Sequence, residues 1–68
     1  MYYMIKSHAG YAQEFVRRFE NGKIASYCLD WTREQENADL FATEQSAKRV
    51  IKRHNLKNAY IVDSNFLI

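Results

Sequence analysis

Residues 43–55, TEQSAKRVIKRHN, are the segment whose start, faces and end are most readable in the chain. Thr43 can accept hydrogen bonds from the open N–H groups of a first helical turn, and Glu44 puts negative charge at the positive end of the helix dipole. At 100° per residue, Ala47, Val50, Ile51 and His54 fall within an arc of roughly 100°. Lys48, Arg49, Lys52 and Arg53 occupy a second arc that faces largely away from the first. Asn55 can take the left-handed conformation that ends a helix, with Leu56 folded back over the last turn. Such a helix packs on something with one side and shows cations with the other.

The rest of the chain reads as strands. Tyr2 to Lys6 is rich in aromatic and β-branched residues, and His8-Ala9-Gly10 breaks it. Residues 11–20 fit two patterns. Ala12, Phe15, Val16 and Phe19 have helical spacing, with Asn21-Gly22 as a C-cap. Read with period 2, the segment is a strand and Asn21-Gly22 a type I′ turn into the strand-like run KIASYCLDWT. The hairpin is the favoured reading, because that run needs a neighbour. It pairs Phe19 with Ile24, Val16 with Tyr27 and Ala12 with Trp31. Thr32 to Gln35 matches a capping box that opens a helical turn. Ala59 to Val62 is the last strand, and Asp63-Ser64-Asn65 ends it. Phe66-Leu67-Ile68 either packs on the core or extends that strand. The expected fold class is α+β: a small antiparallel sheet of three to four strands with one main helix on one face, ordered β-β-β-α-β.

Sixty-eight residues allow a single domain, 1–68, with one small core. Hydrophobic residues make up 47% and aromatic residues 15%, which is enough to fold. One cysteine, Cys28, excludes an internal disulfide and a Cys-based zinc site, and favours a reducing compartment. No run approaches the ~20 apolar residues of a membrane span, and MYYMIKSHAG lacks the features of a secretory signal. A cytoplasmic location is the default. The net charge of +2 is unevenly spread: residues 1–45 hold five cations and seven anions, and residues 46–68 five cations and one anion. That asymmetry suggests an anionic partner for the second half, with a solvated helix face as the bland alternative.

Nothing in the chain reads as an active site. The only two imidazoles, His8 and His54, lack metal-ligand spacing; His54 suits packing or capping and His8 a solvated turn. Cys28 lies mid-strand with no base or oxyanion site, as a buried inert thiol would. Glycine is too scarce for a phosphate-cradling loop, and no cofactor is implied. Glu34, Glu36 and Asp39 read as a solvated acidic turn, or as a mimic of phosphate charge. Two features suit nucleic acid. One is the cationic arc with Lys57 beyond it. The other is Arg17, Arg18 and Lys23 interleaved with Phe15, Phe19 and Tyr27, although Arg17 and Arg18 point to opposite strand faces.

YYMIK at 2–6, Gly10-Tyr11, ENGKI at 20–24 and the run ADLFATEQSA from Ala38 to Ala47 carry a resemblance. The chain resembles small uncharacterised proteins encoded by phages and prophages of low-GC Gram-positive bacteria, with Y-x-I-K and A-x-x-F-x-[ST]-x-x-x-A patterns. The resemblance implies a sheet-plus-helix fold and a mobile-element origin, and carries no function. Phe41-x-Thr43-x-x-x-Ala47 is also similar to the arm-binding domains of phage-type integrases, which read DNA with a three-stranded sheet. This chain departs from them in its fourth strand and in lacking dense basic residues.

The functional expectation is a non-enzymatic accessory protein that binds a host protein, such as a nucleic-acid enzyme or defence effector, and inhibits or redirects it. Its contacts would come from Lys48, Arg49, Lys52, Arg53, Lys57, Arg17, Arg18, Trp31 and Tyr27. The alternative is a DNA- or RNA-binding module using the basic helix face and hairpin. A homodimer formed through an open sheet edge or the C-terminal tail is a third reading, and no membrane partner is expected.

Overall fold

The computed structural model describes residues 1–63, so the Phe66-Leu67-Ile68 tail and residues 64 and 65 of the expected strand break lie outside the described residues. Asp63, expected to begin that break, is still strand and pairs with Tyr3. Strands β1 (Tyr3–Ser7), β2 (Gly10–Arg18) and β3 (Ile24–Thr32) precede a 3₁₀ turn (Gln35–Asn37), helix α1 (Glu44–Arg53) and strand β4 (Tyr60–Asp63). Residues 11–18 are strand, as the hairpin reading has it. Every pairing is antiparallel and the order is β3-β2-β1-β4. The α+β expectation holds.

Helix α1 forms where its ends are satisfied. Thr43 Oγ1 accepts from the Ser46 N–H at 3.2 Å. At the other end, Asn55 takes φ 52°, its N–H donates to the Lys52 carbonyl, and the Leu56 N–H donates to the Ile51 carbonyl. These bonds are a Schellman motif, and Leu56 packs on the core below. Ala47 and Val50 are buried against Ile5 and Ala12, and Leu29, Trp31, Ile51 and Ile61 fill in around them. The opposite sheet face is covered too, where a helix on one face was expected. Ala38 closes over Met4 and Tyr11, with Val62 beside them.

That second cover comes from the segment after β3. The strands β1 and β2 stay paired only through Ser7↔Gly10 and Lys6↔Tyr11. Beyond that point residues 39–41 take the place of a ladder. The Asp39 N–H donates to the Ala12 carbonyl, and Asp39 Oδ2 accepts from the Glu14 N–H at 2.6 Å. Phe41 and Tyr3 exchange N–H and C=O bonds of 2.8 Å each. Asp39 is therefore a structural acceptor and not part of a solvated acidic turn. The expected capping box does not form either: Thr32 remains in β3, its Oγ1 accepts from the Glu34 N–H, and Gln35 Nε2 is buried without a partner.

The hairpin turn differs from the type I′ expectation. Asn21 keeps a negative φ, and only Gly22 of the loop is left-handed, at φ 86°. The Gly22 N–H donates to the Phe19 carbonyl and the Phe19 N–H to the Lys23 carbonyl, giving a three-residue loop with Gly22 as a bulge residue. This loop sets Arg18, not Phe19, opposite Ile24. A second irregularity at Ala25 restores the register, so Val16 faces Tyr27 and Ala12 faces Trp31 as expected. Cys28 is half-buried, with its Sγ 3.6 Å from Ser26 Oγ, where a buried thiol was expected.

The two glycines make unequal demands. A Cβ at Gly10, which has φ 127°, would collide with the Thr32 carbonyl, whereas one at Gly22 would meet open space. Gly10→Ala is expected to lower the unfolding free energy by about 2–4 kcal/mol. Gly22→Ala should cost about 1 kcal/mol, from the left-handed φ alone. Urea titrations followed by the fluorescence of the single tryptophan, Trp31, compare the two directly.

Candidate partner-binding surface

Strands β2 and β3 overrun β1, and α1 is too short to follow them. At ~3.3 Å per residue the nine-residue hairpin strands exceed five-residue β1 by more than 10 Å. The result is an elongated molecule of 43 × 22 × 21 Å, in which the hairpin from residue 15 outward is a two-stranded arm. Both faces of that arm carry exposed apolar side chains. Alternation and pairing put Phe15 on one face and Val16, Tyr27 and Ile24 on the other; all four are exposed, as is Phe19 near the tip at 60%.

A two-stranded ribbon is marginal by itself, so its root needs an anchor. That anchor is Glu14, which faces α1 from β2. Its carboxylate accepts from Arg53 Nη1 at 3.0 Å to both oxygens, and from His54 Nε2 at 2.6 Å. A carboxylate can only accept, so His54 Nε2 carries the hydrogen. The Arg53 guanidinium also lies 4.5 Å from the centre of the Tyr27 ring, a cation–π contact. The helix end thus holds one arm strand by charge and the other by an aromatic face. On the arm, Arg18 Nη1 donates to the Gly22 carbonyl at 2.8 Å.

The expected binding residues divide into groups. Lys48, Arg49 and Lys52 are exposed along the outer side of α1. Arg53, expected with them, is turned onto Glu14 and Tyr27 instead. His54 lies in the apolar arc as expected, serving as the helix C-cap and as a Glu14 ligand. Trp31 is half-buried in the core cluster, and it lines a pocket of about 130 Å³ with His8, Leu56 and exposed Lys57. Arg17 and Arg18 are exposed on the arm, with Tyr27 45% exposed nearby. The structure therefore presents two separate surfaces, a cationic helix side and an apolar, partly cationic arm.

Glu14 was not singled out by sequence reasoning, and Asp39 was named only as part of an acidic turn, not as a partner of β2. A signal for Glu14 is present: in the alternation Ala12, Glu14, Val16 a carboxylate occupies an inward position, which calls for a partner. Asp39 has no such signal, because its role depends on where β1 and β2 part.

Among the described residues no three His, Cys, Asp or Glu side chains come together as metal ligands, and no helix is long and apolar enough to cross a membrane. No family model, curated protein or solved structure matches the chain.

Two substitutions test the anchor. Glu14→Ala and His54→Ala, singly and together, should show a coupling energy of about 1–2 kcal/mol in a double-mutant cycle of thermal unfolding. In Glu14→Ala, hydrogen exchange should quicken more at arm residues 15–18 than in β1, because the arm opens first. Asp39→Ala strands the Glu14 N–H and should cost about 1–3 kcal/mol in urea unfolding.

Proposed function

We propose that this protein works by surface contact, without catalysis, and that its arm docks on a protein partner. The observation that carries this reading is the concentration of exposed large side chains on one projecting ribbon: Phe15, Val16, Phe19, Ile24 and Tyr27. Clustered exposed apolar groups of this kind mark interaction sites, and aromatic anchors contribute most of the energy at such interfaces. Arg17, Arg18 and Lys23 border them, against one anion, Glu20. The complementary partner surface is an apolar cleft with an acidic rim. On this reading the chain is a small accessory protein of the phage or prophage kind it resembles, holding a host protein in the cytoplasm so as to inhibit or redirect it.

A second reading, nucleic-acid binding, draws on Lys48, Arg49 and Lys52, exposed together on α1. The arm fits that reading less well, since a groove-entering ribbon needs polar donors on the face it presents to base edges. Each face of this one offers a single such donor, Arg17 or Arg18, and Arg18 is already engaged with the Gly22 carbonyl.

Affinity capture from a host extract separates the two readings. Phe15 and Phe19 are 40% and 60% exposed, so Phe15→Ser/Phe19→Ser should cost about 1–2 kcal/mol and Lys48→Glu/Arg49→Glu/Lys52→Glu less, and circular dichroism should show both variants folded as the parent is. The parent and the helix variant are expected to retain the same host protein, and the arm variant to lose it. Failure of the parent to retain a specific protein overturns the protein-binding reading. DNA or RNA affinity that is abolished in the helix variant and falls steeply between about 50 and 200 mM salt establishes the nucleic-acid reading in its place.

A further inference from the structure

The outer edge of β3 is an open pairing surface, and its chemistry suits a second copy of the same strand. Main-chain directions follow from Asp39. It engages the Ala12 carbonyl and the Glu14 N–H, so those groups point away from β3. The hydrogen-bonded pairs between β2 and β3 are therefore Gln13↔Asp30 and Phe15↔Cys28, and Tyr27, Leu29 and Trp31 aim their N–H and C=O groups outward. No described element pairs with that edge. Edge strands are ordinarily guarded by Pro, Lys, a short length or a bulge. Over Ile24–Thr32 there is no Pro, Lys or Arg, and the bulge at Ala25 leaves Ser26–Thr32 as seven residues in unbroken register with β2.

We propose that two copies of this chain pair antiparallel through the outer edges of β3, with the two-fold axis at Leu29, to form one continuous eight-stranded sheet. Three features of the strand select this arrangement. First, Leu29 is the midpoint of the regular stretch, so this register aligns all of Ser26–Thr32 and forms about six hydrogen bonds between copies. Second, it sets Tyr27 of each copy opposite Trp31 of the other, on the same face as the paired Leu29 side chains. Aromatic pairs directly across strands are favourable, and Tyr27 is 45% exposed in the single chain. An axis at Asp30 would instead set two carboxylates face to face, and one at Cys28 would run the ladder into the bulge. Third, charge complements at both ends. The arm end carries Arg17, Arg18 and Lys23 against Glu20, while the segment after β3 carries Glu34 and Glu36 against Arg33. Antiparallel pairing lays the arm end of each copy beside that segment of the other; parallel pairing would bring like ends together. The two-fold is perpendicular to the sheet, so both helices lie on one face, and the β2 side of each arm, with Phe15 and Val16, stays outside the paired edge. The pairing stands independently of what the tips bind.

The test is sedimentation equilibrium of the parent chain together with disulfide trapping. The mass should rise from 8.1 kDa toward twice that value as concentration increases to about 100 μM, the regime of a modest interface. In the proposed register Cys28 of each copy faces Asp30 of the other at a non-hydrogen-bonded position, where Cα atoms approach to ~4.5 Å. Asp30→Cys, an exposed site, should therefore form a disulfide-linked dimer under mild oxidation, at least tenfold faster than the parent with Cys28 alone. A monomer at every concentration overturns the proposal. So does a parent disulfide that forms as readily as the variant's, since that places the axis at Cys28.

Discussion

Glu14 is the residue on which the shape of this molecule turns. Its N–H is held by Asp39, and its carboxylate is held by Arg53 and His54. The first bond comes from the segment that fills the gap between β1 and β2. The second set comes from the end of the helix that covers the other face. One residue in β2 thus joins the three parts of the body at the point where the sheet narrows to two strands. The Glu14 carboxylate is partly shielded, its side chain 16% exposed; its hydrogen bond to His54, 13% exposed, lies on the sheltered side, and its ion pair with Arg53, 41% exposed, on the solvent side. Remove it and the arm has only its own ladder and the Tyr27–Arg53 contact.

This arrangement explains an otherwise awkward composition. A short chain carrying ten aromatic residues ought to bury most of them, yet Tyr2, Phe15, Phe19, Tyr27 and Tyr60 are all exposed. The fully buried positions are taken by Met4, Ile5, Ala12 and Ala47, which are small or flexible. Small residues at the contact let α1 lie close to the sheet. The aromatic surface is displaced outward, chiefly to the arm, where it is available for contact with other molecules.

Much of this was legible in the residues, and the parts that were not share a cause. The helix over 44–53, its Thr43 cap and its Asn55 terminus follow from local chemistry, and the alternation along 10–18 and 24–32 sets two strands that need each other. Local reasoning failed where a second element intervened. Thr32 and Gln35 match a capping box, but Thr32 is the last residue of β3, paired with Tyr11, and the helical turn opens two residues later with Glu34 in the cap position. Asn21-Gly22 favours a two-residue turn, yet the chain adopts a three-residue loop offset by an irregularity at Ala25. Arg53 belongs to the cationic arc by helical angle, but it ends the helix beside an inward carboxylate and is drawn to it. The arm surface was half-legible: its residues could be named, and their exposure depends on how far β2 and β3 outrun β1.

The irregularity at Ala25 separates the fate of the tip from that of the body. It absorbs the extra loop residue before Ser26, so the inward and outward sets from Tyr27 to Trp31 keep their faces despite the three-residue loop. A lineage of such chains could therefore lengthen, shorten or recompose the loop from Phe19 to Lys23 while the helix, the root of the arm and the edge of β3 stay in register. Variation in what the tip contacts would then be uncoupled from the requirements of folding, much as a loop on a rigid scaffold is free to change.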